Sequence, residues 1–170
     1  MVVVPRNLRS KDKVVPDRRS LASILAGLRA QGKTVVLTNG VFDLLHVGHI
    51  RYLEDARSRG DFLVVAVNSD ASTERLKGKG RPVVPIEERM EVLSGLGFVD
   101  YVTQFDEDTA DKLIEQLRPT LYAKGTEYTL KTLPERDTLK KLELKAVFVG
   151  DKKGHSTTKM LSRLKRLKKV

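Results

Sequence analysis

Cysteine is absent from this 170-residue chain, so it can form neither a disulfide nor a thiolate metal site, and a reducing cytoplasm is the expected setting. No apolar run approaches the roughly twenty residues of a membrane span. The opening stretch, MVVVPRNLRSKDK, has no apolar core after its charges, so no secretory leader is expected. Hydrophobic residues are not scarce: at 40% of the chain they exclude wholesale disorder, and the length suits one domain with its own core. Histidine is scarce, with three in all.

The net charge of +10 resembles that of a nucleic-acid-binding protein until it is located. Residues 1–20 carry six Lys/Arg against two Asp, and residues 151–170 carry eight against Asp151 alone. The 130 residues between them total about −1, so the basicity belongs to the ends. Solvated tails or contact with RNA or another acidic surface would each explain such ends. A basic RNA-binding module leaves the neutral middle without a role, so nucleic acid is not the expected partner.

Along the chain, DRRSLASILAGLRAQG reads as an amphipathic helix with Ser20 as cap, an apolar face of Leu21, Ile24, Leu25 and Leu28, and Gly32 as its end. KTVVLTNG is a buried strand, followed by a helix over residues 48–58 that Gly60 stops. DFLVVAVNSD, VDYVTQF, TLYAKG and KAVFVG read as further strands. PIEERMEVLSGLG, EDTADKLIEQLRP and PERDTLKKLE read as the helices between them, and a last helix starts near HSTTKML. This alternation predicts an α/β fold: a Rossmann-like, doubly wound, five-stranded parallel sheet in a single domain with helices on both faces. Residues 1–15 read as a basic lead open to disorder, and residues 16–170 as the domain, closing on a basic C-terminal helix. In such folds ligands bind beyond the carboxyl ends of the strands. Those ends here read TNG, NSD, KG and GDKKGHSTT, all polar or glycine-rich.

His46 and His49 flank Gly48 at a helix mouth just after the first strand. A helix N-terminus offers unpaired N–H groups and partial positive charge, so His49 and Arg51 in a first turn suit a bound anion. Gly48 lets that ligand approach the backbone closely. A pair of satisfied polar groups and a metal site with Asp43 are the competing readings. Phosphate fits best, because no further histidine or cysteine lies nearby and His155 sits in another segment. HSTTKML repeats the pattern with three hydroxyls before Lys159, although capping alone accounts for one of them. Neither KGKGRP nor GDKKGHST has the context or spacing of a dinucleotide or Walker loop.

GVFDLLHVGH, residues 40–49, resembles the GxFDxxHxGH signature of the nucleotidyltransferase superfamily of cytidylyltransferases and adenylyltransferases, and STTK, residues 156–159, resembles its second signature. Asp43-Leu44-Leu45-His46 is similar to the glycerol-phosphate cytidylyltransferase and heptose-phosphate adenylyltransferase branch. VAVNSDAST, RLKGKGRPVVPIEERMEVL, FDEDT and KGTEY bring the likeness nearest to D-glycero-β-D-manno-heptose 1-phosphate adenylyltransferases, over roughly residues 13–165. Lys124-Gly125-Thr126-Glu127-Tyr128 stands where those enzymes have Lys-Gly-Gly-Asp-Tyr, and the segment after it lacks their glycine-rich, acidic pattern. The resemblance therefore speaks more to the nucleotide than to the acceptor.

The resemblance implies transfer of AMP from ATP to a sugar 1-phosphate, with Mg²⁺ accompanying the ATP, pyrophosphate leaving and ADP-heptose as product. It also implies a homodimer and no membrane association. The alternative is a CTP-dependent cytidylyltransferase acting on glycerol 3-phosphate or a related small phosphate. His46, His49 and Lys77 would be catalytic. Thr38, Asn39, Gly40, Phe42, Arg89, Lys124, Gly125, Ser156, Thr157 and Thr158 would bind the nucleotide. Asp43, Asn68 and Asp70 would order substrate or Mg²⁺, with no metal site made by protein alone. Asp43 also reads as a loop cap, Arg89 as the partner of a surface carboxylate, and Lys77 as a solvated lysine on a glycine-bounded loop.

Overall fold

Strand and helix alternate through the computed structural model, which describes residues 9–151, 157 and 160–163. The strands are β1 (Val35–Gly40), β2 (Phe62–Asn68), β3 (Tyr101–Phe105), β4 (Leu121–Gly125) and β5 (Lys145–Val149). The helices are α1 (Ser10–Lys13), α2 (Arg18–Ala30), α3 (Val47–Ser58), α4 (Asp70–Lys77), α5 (Ile86–Ser94), α6 (Asp111–Leu117) and α7 (Arg136–Lys141). All strand pairs are parallel, in the order β3-β2-β1-β4-β5. The chain steps outward from β1 to β3 and then returns to place β4 on the other side of β1. The order therefore reverses between β1 and β4, where adjacent crossovers diverge and leave a crevice at the strand ends. The predicted doubly wound sheet is the one observed.

The two-residue period of each strand divides the core between the faces. Val35, Leu37, Val64, Ala66 and Tyr122 pack beneath α2, α6 and α7. Val36, Leu63, Val65, Val67 and Ala123 pack beneath α3 and α5. Both faces are buried, which is why the strands are continuous apolar runs rather than alternating ones.

Four features differ from the sequence expectation. Asp17, not Ser20, caps α2: its carboxylate accepts from the Ser20 backbone N–H at 2.9 Å and the Ser20 hydroxyl at 2.6 Å. Ser20 has the chemistry of a cap but sits one turn inside the helix, facing back toward the actual cap. The basic lead is structured from residue 10, since α1 leads into Val14, which bridges Val102, and Val15 N–H donates to the Val102 carbonyl at 2.8 Å. α4 follows β2 unannounced because it buries Ser72 and Thr73 rather than an apolar stripe; Ser69 caps it. Lys77 is consequently the last residue of a helix, not part of a loop, and Gly78 at φ 92° ends that helix.

Asp17→Ala should lower the unfolding free energy by about 1 kcal/mol, with Ser20→Ala costing less than half of that. Urea denaturation of the two variants measures the difference, and equal losses would return the cap to Ser20.

Candidate active site

A cavity of about 710 Å³ opens over the β1/β4 reversal. Of the site residues read from the sequence, Asn39, Gly40, Phe42, Asp43, His46, His49, Asn68, Lys77, Lys124, Gly125 and Thr157 line it. Thr38, Asp70 and Arg89 do not line it. Ser156 and Thr158 lie outside the described residues.

The imidazoles are held as part of a stack. His46 is the N-cap of α3, in extended conformation, and its ring lies on that of His49 with centroids 3.9 Å apart and planes 17° from parallel. Phe42 packs on the far side, 5.4 Å from His49. Phe42 reaches this position at φ 46°, an unusual value for a residue with a side chain. Burial first, and His46 as a like charge second, together lower the His49 pKa from 6.5 to about 4. His49 is therefore a neutral hydrogen-bonding ring at physiological pH, and its Nδ1 is buried without a hydrogen-bond partner among the described residues. Arg51, read from sequence as answering an anion, already pairs with Asp151 at 2.7 Å on the cavity rim.

Thr38 works beneath the stack. Its hydroxyl bonds the Tyr52 hydroxyl, and both oxygens lie within reach of the Ala123 carbonyl, at 3.1 and 3.2 Å, so one hydroxyl donates to the other, which donates to that carbonyl. Tyr52 lies one turn after His49, so this knot seats α3 on β1 and β4. Burial holds the Tyr52 phenol far above its usual pKa, which keeps it a neutral donor. Thr157 Oγ1 donates to the Leu44 carbonyl at 3.2 Å, tying the second predicted helix mouth to the loop before α3. Asn68 Nδ2 donates to Ser72 Oγ at 3.0 Å and anchors the start of α4.

Two predicted roles are corrected. Arg89 is not a phosphate ligand: its side chain is 0% exposed, and its guanidinium donates to Val84 O at 2.9 Å, Val41 O at 2.6 Å and Asp70 Oδ1 at 2.6 Å. Asp43 is not available to hold Mg²⁺. Its oxygens accept from Val83 N, Val84 N and Arg81 Nε, all within 2.7–3.0 Å. Burial raises the Asp43 pKa, but those three donors outweigh it and leave the value below normal. Asp70 is likewise engaged by Arg89. Among the described residues no group of three His, Asp or Glu side chains could hold a metal ion.

The arginine on the cavity wall is Arg81, which sequence reasoning missed. Asp43 holds its Nε, while its terminal nitrogens bond no described residue. Lys77 lines the same wall, exposed and without an ion pair to any described residue. Lys124 sits deeper, 9% exposed, with its ammonium 5.3 Å from the Tyr128 ring centre, 5.6 Å from that of Tyr122 and 3.8 Å from Glu135 Oε1. Burial lowers the Lys124 pKa, and Glu135 and Glu127 partly restore it. Glu127 folds over Gly125, where an added Cβ would collide with its carboxylate. Of these unpredicted residues, Glu127 stands where KGTEY departs from the resembling enzymes, Tyr128 where it agrees with them, and Glu135 in the segment after it.

A family profile described as Cytidylyltransferase-like matches residues 37–164, and so includes both helix mouths. The chain belongs to the cytidylyltransferase-like family. It is 48% identical over 153 residues to the bifunctional protein HldE of Geobacter sulfurreducens, covering 90% of this chain and 31% of that protein. It is 46% identical over 137 residues to the bifunctional protein HldE of Azotobacter vinelandii, covering 81% of this chain and 29% of that protein. The chain thus spans about a third of the length of these curated relatives. The crystal structure of the lipopolysaccharide core biosynthesis protein from Thermoplasma volcanium GSS1 is similar at TM-score 0.61 and 31% identity, over 71% of this chain and 99% of that one. In this cytidylyltransferase-like domain, the Asp43–Arg81 pair lines the cavity with the imidazoles, and the buried Arg89 braces the loops behind that lining.

Arg89→Met should cost about 2–4 kcal/mol in unfolding free energy, because two carbonyls lose their donor in a buried setting while half-exposed Asp70 can turn to water. Urea denaturation measures it, and a loss below about 0.5 kcal/mol would show Arg89 to be a surface-like residue. The His49 ring resonances in an NMR titration should have their midpoint near pH 4 in the free protein. The unfolded chain takes up that proton first, so this group weakens the fold as pH falls from about 6.5 toward about 4.

Proposed function

We propose that this chain is an adenylyltransferase that moves AMP from MgATP to a sugar 1-phosphate, with D-glycero-β-D-manno-heptose 1-phosphate as acceptor and ADP-heptose as product. The observation that carries the reading is the stacked imidazole pair at the mouth of α3, over the sheet reversal, in a cytidylyltransferase-like domain. Similarity to the HldE proteins and to a lipopolysaccharide core biosynthesis protein supports the sugar-precursor part. By the family resemblance the enzyme works as a homodimer. A cytoplasmic location follows from its use of ATP. No helix among the described residues is long and apolar enough to cross a membrane.

In this reaction an acceptor phosphate oxygen forms a bond to the α-phosphorus of ATP while the α–β bridging bond breaks and pyrophosphate leaves. No protein nucleophile is required, so catalysis reduces to positioning and to stabilising charge on the non-bridging oxygens. His46 and His49 donate hydrogen bonds to the α- and β-phosphates. A neutral His49 contributes a directed donor rather than a standing charge, and an arriving polyanion raises its proton affinity. Lys77 and Arg81 meet the leaving half from the opposite wall, and Thr157 borders the nucleotide from the second mouth. Magnesium arrives bound to the triphosphate, since Asp43 and Asp70 are already engaged.

His49→Ala and Lys77→Met should each lower turnover by about a hundredfold or more while changing stability by less than about 0.5 kcal/mol. Pyrophosphate release, screened with ATP, CTP, GTP and UTP against sugar and polyol phosphates, measures turnover and tests the substrate assignment together. Turnover with CTP and glycerol 3-phosphate in place of ATP and a sugar 1-phosphate would give the domain to the other branch. Undiminished turnover in His49→Ala would remove the role assigned to the imidazoles.

A further inference from the structure

One buried group in the cavity wall has no part in handling phosphate. Glu135 immediately precedes α7, and its side chain is 2% exposed. Oε1 accepts from the Ala110 backbone N–H at 3.3 Å and lies 3.8 Å from Lys124 Nζ, while Oε2 is buried with no hydrogen-bond partner among the described residues, the nearby Tyr122 hydroxyl giving its proton to Asn39 Oδ1. A buried carboxyl oxygen left without a donor is costly, and such atoms in native folds call for an explanation. A carboxylate repels phosphate, so the groups that complete this one must belong to an uncharged part of a ligand, and they must be donors.

The setting says which part. Strand parity places Tyr122, Lys124 and Asn39 on the α2/α6/α7 face, and the Tyr122 hydroxyl donates to Asn39 Oδ1 at 2.6 Å. The imidazoles stand on α3, against the opposite face. In the proposed reaction the polyphosphate is pinned by the α3 mouth and by Thr157 beyond β5. Glu135 instead holds the Ala110 backbone, next in the chain to Asp108 and Thr109, which follow β3 and share the cavity lining. One cavity thus has the proposed phosphate pole and a second pole built of a carboxylate, an ammonium and the Tyr128 phenol ring. Carboxylate and ammonium side by side are the complement of a polyol, whose hydroxyls donate to one and accept from the other.

We infer that Glu135 determines acceptor specificity, with Oε2 accepting a hydrogen bond from a hydroxyl of the sugar phosphate and Lys124 donating to a neighbouring oxygen. The inference rests on the proposed nucleotidyl transfer and adds the residues that read the acceptor.

Steady-state pyrophosphate release with varied sugar 1-phosphate and varied ATP, in the parent and in Glu135→Gln, tests it. The amide keeps the shape but presents a donor toward the hydroxyl. The KM for the sugar phosphate should rise about tenfold or more while the KM for ATP stays within about twofold. A rise in the KM for ATP instead would assign Glu135 to the nucleotide, and no change in either would end the inference. Because Glu135 also holds Ala110 and Lys124, a second arm uses the unaltered protein with a series of deoxy sugar 1-phosphates. One of them should lose about tenfold or more in kcat/KM, and a flat series would overturn the assignment. Absence of turnover with every nucleotide and acceptor would instead defeat the nucleotidyl-transfer reading and take this inference with it. Normal turnover with an unresponsive Glu135→Gln would defeat the inference alone.

Discussion

The segment after β1 must leave a hydrogen-bonded sheet edge and, within six residues, begin a helix whose first turn stays open to a ligand. That requirement leaves carbonyls and amides without partners of their own and places Phe42 at positive φ. Asp43 and Arg89 meet it together. Asp43 accepts from Val83, Val84 and Arg81, while Arg89 donates to Val41, Val84 and Asp70. One acid and one base thereby fasten three separate stretches, residues 41–43, 81–84 and the start of α4. Polar groups buried this completely are stabilising only as a full set, because removing one member strands the rest. The imidazole stack inherits its rigidity from that set.

Electrostatically the cavity is not a basic sink. Its histidine ring is neutral, one lysine is partly neutralised by a glutamate, and one arginine is clamped by an aspartate. The surplus positive charge of the chain belongs to its ends, and the residues between them are close to neutral. In the proposed reaction, recognition of the polyanion would depend on donors held in position rather than on net charge, which suits discrimination between ground and transition states.

Much of this was legible from local pattern. Continuous apolar runs between amphipathic segments specify buried parallel strands, and their polar ends mark the rim. The histidine pair was conspicuous because histidine is rare in this chain and basic groups are unfavourable in a first turn. Less legible were elements whose burial is polar. α4 hides Ser72 and Thr73, so it carries no hydrophobic period, and its absence from the pattern turned Lys77 into a loop residue. Arg89 and Arg81 are eight residues apart with similar surroundings, and nothing local says that one turns inward to three acceptors while the other lines the cavity.

What the sequence by itself determined was the alternation of elements, the position of the imidazoles at a helix mouth and the family they belong to, because those depend on periodicity and spacing within short windows. What only the tertiary structure decided was partnership: Asp43 with residues 38–41 positions later in the chain, Thr38 with Ala123, Glu135 with Lys124 and Ala110. Whether a charged side chain is a ligand, a strut or a selector depends on which donors and acceptors the fold brings within about 3 Å of it. That distance is set by strand order and crossover, not by neighbours in sequence.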